Sequence, residues 1–268
     1  MHKITKIERQ KKSLHRYNIY IDDEFAFGVD EDVLLKNNLH KGLELTKDDM
    51  IQLIDEESTR NAYLLAIRYL SYRIRTEFEI DKYLREKAVE EILINETIER
   101  LKKEKLIDDV QFAEVFVRDR MNQTSKGPRI IEKELMEKGI TKSTATDAVR
   151  VFTYENQLEK VVDTANRELK KRSNKSSRQR LQQLQSKLIR RGFEKSVIND
   201  MLQQIEMTAN ENDEKNALYL QAEKLSKRLR RKYTGYEFNQ RLKQGLYGKG
   251  FSIDLINEYI NEIDRGSR

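Results

Sequence analysis

The chain contains no cysteine and a single proline, and it has only ten glycines in 268 residues. The absence of cysteine excludes disulfides and thiolate chemistry, so the fold does not depend on the redox state of its compartment. One proline leaves few helix breaks, and a charged fraction of 37% suits long helices better than a large sheet. We therefore expect a mainly α protein outside the N-terminus.

Long hydrophobic runs are also missing. The longest apolar stretch, Ala62 to Ile67, is far shorter than the roughly 20 residues that cross a membrane. No charged-then-apolar leader is recognised at the start of the sequence. These absences predict a cytoplasmic protein with no membrane partner.

Familiar catalytic motifs are absent as well. His2, His15 and His40 are scattered and lack the i,i+4 spacing typical of a zinc site. No phosphate-binding, dinucleotide-binding or nucleophile-elbow glycine motif occurs. The acidic pair Asp108 and Asp109 could hold a metal, but a helix N-cap is the favoured interpretation. We expect no cofactor, no metal and no enzyme activity.

What the sequence does contain is a repeated helix ending. A leucine is followed by glycine four residues later and by a hydrophobic residue at the fifth, and alanine replaces glycine in the weakest copy. The copies are Leu84…Ala88-Val89, Leu135…Gly139-Ile140, Leu188…Gly192-Phe193 and Leu246…Gly250-Phe251. Each is followed by apolar residues 6, 10 and 13 positions after the glycine or alanine, which is one face of a helix. The leucines lie 51, 53 and 58 residues apart, so a helical unit is repeated about four times.

The spacing predicts the chemistry of each ending. A glycine just past a helix end adopts a left-handed conformation without steric cost, and the leucine and the hydrophobic residue then touch in a Schellman motif. Ala88 should be strained or differently closed, because a left-handed residue other than glycine costs about 1 kcal/mol or more.

The N-terminus follows a different pattern. Tyr17, Ile19 and Ile21 alternate with polar residues, as do Phe25, Phe27 and Val29, on either side of Asp22-Asp23. This period of two predicts a β-hairpin, with a third strand before it. Such a small sheet needs helices to cover it, and candidates are residues 30–37 and the segment after Thr46.

The fold class predicted is thus mainly α, with tandem three-helix repeats in an elongated curved array and a small N-terminal hairpin or three-stranded element. The predicted domains are the hairpin with its covering helices and four repeats, at residues 1–60, 61–108, 109–153, 154–207 and 208–268.

Charge is distributed unevenly around a net value of +6. Residues 22–57 carry twelve acids and three bases, whereas residues 167–191 carry ten bases and one acid. Two basic runs in the last two repeats predict contact with a polyanion. The predicted DNA-binding residues are Arg167, Lys170, Lys171, Arg172, Lys175, Arg178, Arg180, Arg190, Arg191, Lys227, Arg228, Arg230, Arg231 and Lys232.

Non-functional interpretations remain open for these basic residues and for the aromatic residues near them. Basic runs on helices are often solvated faces. The aromatic residues could stack on single-stranded bases or belong to the core, and they are Tyr219, Tyr233, Tyr236, Phe238 and Tyr247. The segment Lys126-Gly127-Pro128-Arg129 is expected to open a helix, and with Arg118 and Arg120 it forms either a small anion-binding cluster or a plain solvated loop.

Two segments resemble the RecX family of recombinase regulators. They are Leu106-Ile107-Asp108-Asp109-x-x-Phe112-Ala113 and Lys126-Gly127 followed by Ile130, Leu135 and Lys138-Gly139-Ile140. Leu70-x-x-Arg73-x-x-Thr76-Glu77-Phe78 is similar to a further family signature, with Phe78 where leucine is commoner. The resemblance is strong over residues 61–153 and looser over 154–268.

The resemblance implies a non-enzymatic protein whose partner is the RecA recombinase filament on single-stranded DNA, where it inhibits filament growth, ATP hydrolysis and strand exchange. On this hypothesis the basic repeats bind DNA and a central group contacts RecA, namely Arg73, Arg118, Arg120, Lys126 and Arg129. A monomer is expected. Two alternatives remain, a general nucleic-acid-binding scaffold without a recombinase target and an adaptor that bridges two proteins.

Overall fold

The computed structural model describes residues 1–11, 13–171, 173–206 and 211–266, and within these ranges it contains thirteen helices and four strands. The strands are β1 His2–Arg9, β2 Arg16–Ile21, β3 Glu24–Asp30 and β4 Glu44–Leu45. They all precede the long helices, so the expected mainly α class is confirmed. None of the described helices is long and apolar enough to cross a membrane.

The helices follow in threes after a short first one. They are α1 Glu31–Lys36, α2 Lys47–Leu70, α3 Glu77–Glu86, α4 Glu91–Lys103, α5 Asp109–Gln123, α6 Pro128–Glu137, α7 Lys142–Val149, α8 Tyr154–Leu169, α9 Ser177–Arg190, α10 Lys195–Glu206, α11 Glu211–Leu229, α12 Gly235–Tyr247 and α13 Ile253–Gly266. Helices α2–α4, α5–α7, α8–α10 and α11–α13 are called the first to fourth three-helix units below. The domain boundaries drawn from the sequence stay a prediction.

The chain folds into two compact blocks. One comprises Met1–Val115 with Leu135–Thr144, and the other comprises Phe116–Glu134 with Ala145–Arg268. The second three-helix unit contributes residues to both blocks.

The N-terminal sheet is antiparallel and has the strand order β3-β2-β1-β4. The predicted hairpin joins β2 to β3 through Asp22 and Asp23, which both have positive φ, at 51° and 71°. Two such residues in succession match the twist of the flanking strands. The Asp22 carboxylate also accepts a hydrogen bond from the Lys3 backbone N–H at 3.1 Å, which holds the turn against β1. The two-residue strand β4 was not predicted, because it is too short to show a period.

Helix α2 serves two cores. Near its start Leu53 packs under the sheet, and near its end Ala66 packs into the core of the first three-helix unit. The predicted covering helix and the predicted first helix of the repeat are thus one continuous helix, and the boundary expected after residue 60 falls inside it. An ion pair between Arg16 and Glu57, at 2.7 Å, ties this helix to the sheet.

The repeated helix ending has the predicted geometry. Gly139, Gly192 and Gly250 all have a φ of 85°, and Ala88 has a φ of 58°. The backbone N–H that follows each of the four donates to the carbonyl of the motif leucine, over 3.1 to 3.4 Å. These are the bonds of a Schellman motif. Ala88 therefore closes its helix in the same way as the glycines, rather than differently.

Two further helices end in this manner without a glycine or alanine signal. Lys105 and Asn38 have φ values of 57° and 47°. Leu106 N–H donates to the Leu101 carbonyl at 2.9 Å, and Leu39 N–H donates to the Leu34 carbonyl at 3.0 Å. Asparagine tolerates this conformation comparatively well, but a lysine there gives no usable sequence signal.

Each motif glycine also lies against the start of a helix in the preceding three-helix unit. A Cβ placed on Gly139 would lie 2.1 Å from the Phe78 Cβ, and one on Gly192 would lie 2.7 Å from the Ile130 backbone nitrogen. A Cβ on Gly250 would lie 2.9 Å from the Ser176 Oγ. We call these three contacts the first, second and third joints. The glycines are therefore required twice, for the backbone conformation and for the close approach.

Hydrogen bonds reinforce the joints. At the first joint the Thr76 hydroxyl donates to the Lys138 carbonyl at 2.7 Å, and at the third the Ser176 hydroxyl donates to the Lys249 carbonyl at 2.5 Å. At the second joint Gly127 N–H donates to the Arg191 carbonyl at 2.6 Å. Each joint thus satisfies a carbonyl at a helix end, which would otherwise lack an intrahelical partner.

The joints explain why the first copy carries alanine. Ala88 ends the middle helix of the first three-helix unit, before which there is no other such unit, and it is exposed. Only the backbone strain of about 1 kcal/mol remains there, without a clash.

The predicted helix starts are confirmed. Thr46 and Asp49 form a capping box at α2, and Thr141 accepts the Thr144 backbone N–H at 3.3 Å. Helix α6 begins at Pro128. Asp108 accepts from the backbone N–H groups of Val110 at 2.9 Å and Gln111 at 3.0 Å. It is therefore the N-cap of α5, as the sequence indicated.

The joints can be tested by exchanging glycine and alanine. Gly139→Ala adds left-handed strain and a clash with Phe78, so we expect the free energy of unfolding to fall by about 2–4 kcal/mol. Ala88→Gly is the matched control, because the same closure faces no neighbour, and it should change stability by less than about 1 kcal/mol. Urea unfolding measures both, and equal effects of the two changes would contradict the joint.

Candidate nucleic-acid interface

A groove in the third three-helix unit contains much of the longer basic run. It has a volume of about 920 Å³ and lies along the end of α8, the following loop and α9. Its charged lining comprises five basic residues and one acid, which are Lys171, Lys175, Arg180, Lys187, Arg190 and Glu168. Three glutamines, at positions 179, 182 and 183, add amide groups. The groove therefore offers both positive charge and hydrogen-bonding groups.

The sequence of α9 explains why Lys187 lines the groove. Leu184 and Leu188, four residues apart, are buried. Gln179, Gln183 and Lys187 repeat every four residues on another face, and they line the groove. The helix starts where it does because the Ser176 hydroxyl accepts the Gln179 N–H at 3.3 Å, so the third joint and the N-cap share one side chain.

Most predicted DNA contacts of this run are exposed to solvent. The exposed ones are Arg167, Lys170, Lys171, Lys175, Arg178 and Arg190. Arg191 is half-buried at the end of α9. Arg172 lies outside the described residues. The exposed residues are the ones able to meet a phosphate without rearrangement of the fold.

Arg180 hydrogen-bonds to three backbone carbonyls, which the sequence did not indicate. Its guanidinium donates to the carbonyls of Lys171 at 3.0 Å and Glu168 at 3.4 Å, and also to that of Leu169. These carbonyls end α8, where a positive charge also meets the negative end of the helix dipole. Arg180 thus closes a helix, and a contact with DNA would compete with that role.

Glu168 is the single acid that lines the groove. One of its carboxylate oxygens lies 2.8 Å from the Lys171 Nζ and 3.0 Å from the Lys187 Nζ. Hydrogen bonds from Lys171 and then from Lys187 lower the pKa of the Glu168 carboxyl to about 2. The carboxylate is therefore charged at every physiological pH and neutralises part of the basic lining.

The second basic run lies at the end of α11 and just beyond it. Lys227, Arg228, Arg230, Arg231 and Lys232 are all exposed. Lys227 forms an i,i+4 pair with Glu223 at 2.7 Å, and the Arg230 guanidinium lies 5.5 Å from the centre of the Phe238 ring. The expectation that both runs share one side stays a prediction.

The nearby aromatic residues divide into two groups. Phe238 is buried in the core of the fourth three-helix unit, and Tyr233 packs against that core. Tyr219 packs edge-on against Tyr259, with ring centres 4.9 Å apart. Tyr236 and Tyr247 are 80% and 55% exposed, so of the five they are the most accessible for stacking on a base.

The predicted RecA-contacting residues are partly engaged within the chain. Arg73 pairs with Glu79 at 3.1 Å. Arg120 pairs with Glu134 at 3.1 Å, and Lys126 pairs with the other oxygen of the same carboxylate. The possible anion site at the start of α6 therefore already holds an internal carboxylate. Arg118 and Arg129 are exposed.

The acidic pair is also engaged with backbone groups. Asp108 is the N-cap described above, and the Asp109 carboxylate accepts the Glu77 backbone N–H at 2.9 Å. Burial raises the pKa of Asp109, and the hydrogen bond opposes that shift. In the described ranges, no group of three or more histidine and acidic residues is arranged to hold a metal.

The predicted DNA-binding residues did not include Lys187, and Glu168 was not singled out, yet both line the groove. The signal for Lys187 was present, because Gln179, Gln183 and Lys187 share helical spacing on α9. Glu168 gave no signal beyond being the one acid among ten bases. Its pairing with Lys187 depends on how the turn between α8 and α9 folds back.

Comparison with known proteins places this fold. Residues 2–46 match the family described as "Regulatory protein RecX N-terminal domain". Residues 62–101, 108–149 and 212–260 match the first, second and third three-helix domains of RecX. The family's third domain thus corresponds to the fourth three-helix unit here, and the unit that carries the groove lies between two matched segments.

Full-length relatives and a solved structure agree with this assignment. "Regulatory protein RecX" of Oceanobacillus iheyensis is 42% identical over 268 residues, covering 98% of both chains. The protein of the same name from Bacillus subtilis is 38% identical over 260 residues, covering 97% of this chain and 98% of its own. A "Crystal structure of regulatory protein RecX" is 37% identical, covers 76% of this chain and 100% of its own, and has a TM-score of 0.65.

The fold and the groove define a helical-repeat protein with a basic groove in one of its three-helix units. The relatives that match nearly the whole chain identify the family within that class. The chain belongs to the RecX family of regulatory proteins.

Arg180 and Arg190 should respond differently to replacement by glutamine. Each phosphate contact contributes about −0.7 to the slope of log K for single-stranded DNA against log salt, so Arg190→Gln should make that slope shallower by about 0.7. Arg180→Gln should instead lower the free energy of unfolding by about 1–2 kcal/mol and leave the slope nearly unchanged. Fluorescence anisotropy with oligo(dT) and urea unfolding measure these quantities. A slope that falls as far for Arg180→Gln as for Arg190→Gln would refute the structural role of Arg180.

Proposed function

We propose that this protein is a cytoplasmic negative regulator of RecA recombinase. It binds the RecA filament on single-stranded DNA and inhibits filament growth, ATP hydrolysis and strand exchange. The protein acts by binding and catalyses no reaction. The observation that carries the proposal is the basic groove of the third three-helix unit, in a chain that belongs to a family of regulatory proteins.

The groove supports a nucleic-acid partner through its shape and charge. Lys171, Lys175 and Arg190 combine exposure with a position on the groove wall. Phosphate oxygens on a DNA strand are strong acceptors for such cations, and their release of counterions favours binding. Lys170 and Arg178 are further exposed bases of the same run, and the run after Ser226 adds five more exposed bases. A flexible single strand can follow such a surface more easily than a stiff duplex.

The proposed contact with RecA is made by the five predicted RecA-contacting residues of the first two three-helix units. Arg129 is exposed near the start of α6 and carries this role most directly, and Arg118 is exposed as well. Arg73, Arg120 and Lys126 are paired with glutamates, so they would exchange an internal carboxylate for an acidic side chain of RecA. Exchanging one carboxylate for another adds little to the affinity for RecA. It fixes the position at which the two proteins bind.

We propose that the protein is not an enzyme because its candidate acid–base residues are already bonded to the backbone. Asp108 and Asp109 are the acidic pair that the sequence singles out, and both carboxylates accept backbone hydrogen bonds at helix starts. Their roles are structural. Inhibition would follow from occupying the filament, either at its growing end or along its groove.

The proposal is tested by RecA ATP hydrolysis on single-stranded DNA, titrated with this protein well below the RecA concentration at fixed salt. The informative variant replaces Lys175, Arg178 and Arg190 with serine, which spares Arg180 and the half-buried Arg191. We expect inhibition by the unchanged protein and at least a tenfold higher half-inhibitory concentration for the variant, because about three phosphate contacts are lost.

The control replaces Lys41, Lys47 and Lys103 with serine, three exposed residues of the other compact block that remove the same charge. It should inhibit like the unchanged protein. Equal loss in both variants would assign the effect to net charge alone. Binding to single-stranded DNA without any effect on RecA would instead favour the general nucleic-acid-binding scaffold.

A further inference from the structure

Glu168 occupies an unusual position for an acidic residue. It is the only acid between residues 167 and 191, among ten bases, and it lines the groove. Its two lysine partners come from different places, Lys171 from the loop after α8 and Lys187 from the last turns of α9. The carboxylate therefore draws two amines together at one point of the lining.

The contact matches what a phosphate would make there. A single carboxylate oxygen accepts from both ammonium groups, at 2.8 Å and 3.0 Å, which are ordinary distances for a charge-assisted hydrogen bond. A phosphate oxygen is an acceptor of the same charge and similar size. The Glu168 side chain is 32% exposed and that of Lys171 is 67% exposed, so solvent and a competing anion can reach the pair.

A lysine that already holds a carboxylate contributes little to nucleic-acid binding. The affinity of cations for DNA comes largely from counterions released by the DNA, and a paired lysine must first give up its own anion. The groove should therefore bind a single strand more weakly, and with a shallower salt dependence, than its five bases suggest.

We propose that Glu168 is a built-in competitor of nucleic-acid phosphate, which holds Lys171 and Lys187 in the free protein and limits the affinity of the groove for bare single-stranded DNA. The proposal rests on the proposed function, because it needs the groove to bind a single strand. Its consequence is specific. Single-stranded DNA without bound protein is then a weak ligand of the groove. Additional contacts outside the groove are needed before DNA phosphates displace the Glu168 carboxylate from both lysines.

The low pKa makes this competition constant rather than switchable. Lys171 and then Lys187 hold the carboxyl in its charged form across the physiological range. Only an anion that displaces the carboxylate, and not a change of pH near neutrality, releases the two lysines.

The test compares the salt dependence of oligo(dT) binding for the unchanged protein and Glu168→Gln by fluorescence anisotropy. Two released lysines should steepen the slope of log K against log salt by about 1.4, from about −0.7 for each phosphate contact. Affinity should then rise by up to about 25-fold at 0.1 M salt and hardly at all near 1 M.

Two further variants separate a local effect from a change in net charge. Glu159→Gln removes the same charge from an exposed position of the same helix, about 13 Å away along its axis, and should leave the slope unchanged. Adding Lys171→Gln and Lys187→Gln to Glu168→Gln should return the slope to that of the unchanged protein.

The outcomes separate the two proposals. An unchanged protein that fails to bind oligo(dT) would defeat the proposed function itself. Salt-dependent binding with the same slope in Glu168→Gln would overturn the competitor role alone, as would an equal gain from Glu159→Gln. A loss of affinity in Glu168→Gln would show that the carboxylate organises the lysines for phosphate instead of competing with it.

Discussion

The close approach of a glycine-terminated helix to the start of a helix in the preceding three-helix unit is the contact on which the rest of this structure depends. It occurs at Gly139, Gly192 and Gly250, and each time it joins a left-handed backbone turn to a neighbouring helix start. Three-helix units of about 50 residues have small cores and gain stability by packing on their neighbours. Hydrogen bonds to the carbonyls before the glycines fix the position of that packing. The glycine is thus both a helix stop and a packing surface.

The same constraint positions the basic groove. Ser176 caps α9 and also donates to the Lys249 carbonyl at the third joint, so the first turn of the basic helix is held from two sides. Arg180 then closes the end of α8, and Glu168 links Lys171 to Lys187. A charged surface held in this way has less side-chain freedom to lose when it binds. If a polyanion binds here as we propose, the surface offers it basic side chains in fixed positions.

Much of the fold could be predicted from the sequence, because its signals are local. The leucine and glycine spacing, the capping residues Thr46 and Thr141, and the Asp22-Asp23 turn each depend on residues a few positions apart. The continuity of helix α2 could not be predicted, because its two halves pack against different cores. Their apolar residues therefore do not form one continuous periodic pattern along the helix. The internal partners of Arg180 and Glu168 could not be predicted for a related reason. Their partners are fixed by a turn that brings distant residues together, and a count of charges does not distinguish a helix-closing arginine from a free one.

The central claim is that the groove of the third three-helix unit is the main contact with single-stranded DNA. Amide hydrogen–deuterium exchange of the full chain, with and without saturating oligo(dT), tests it most directly. The account predicts slowed exchange at residues 169–171 and 173–191, with no change at residues 16–30 of the N-terminal sheet. Slowed exchange in that sheet, with none in the loop before α9 or in α9 itself, would contradict the account.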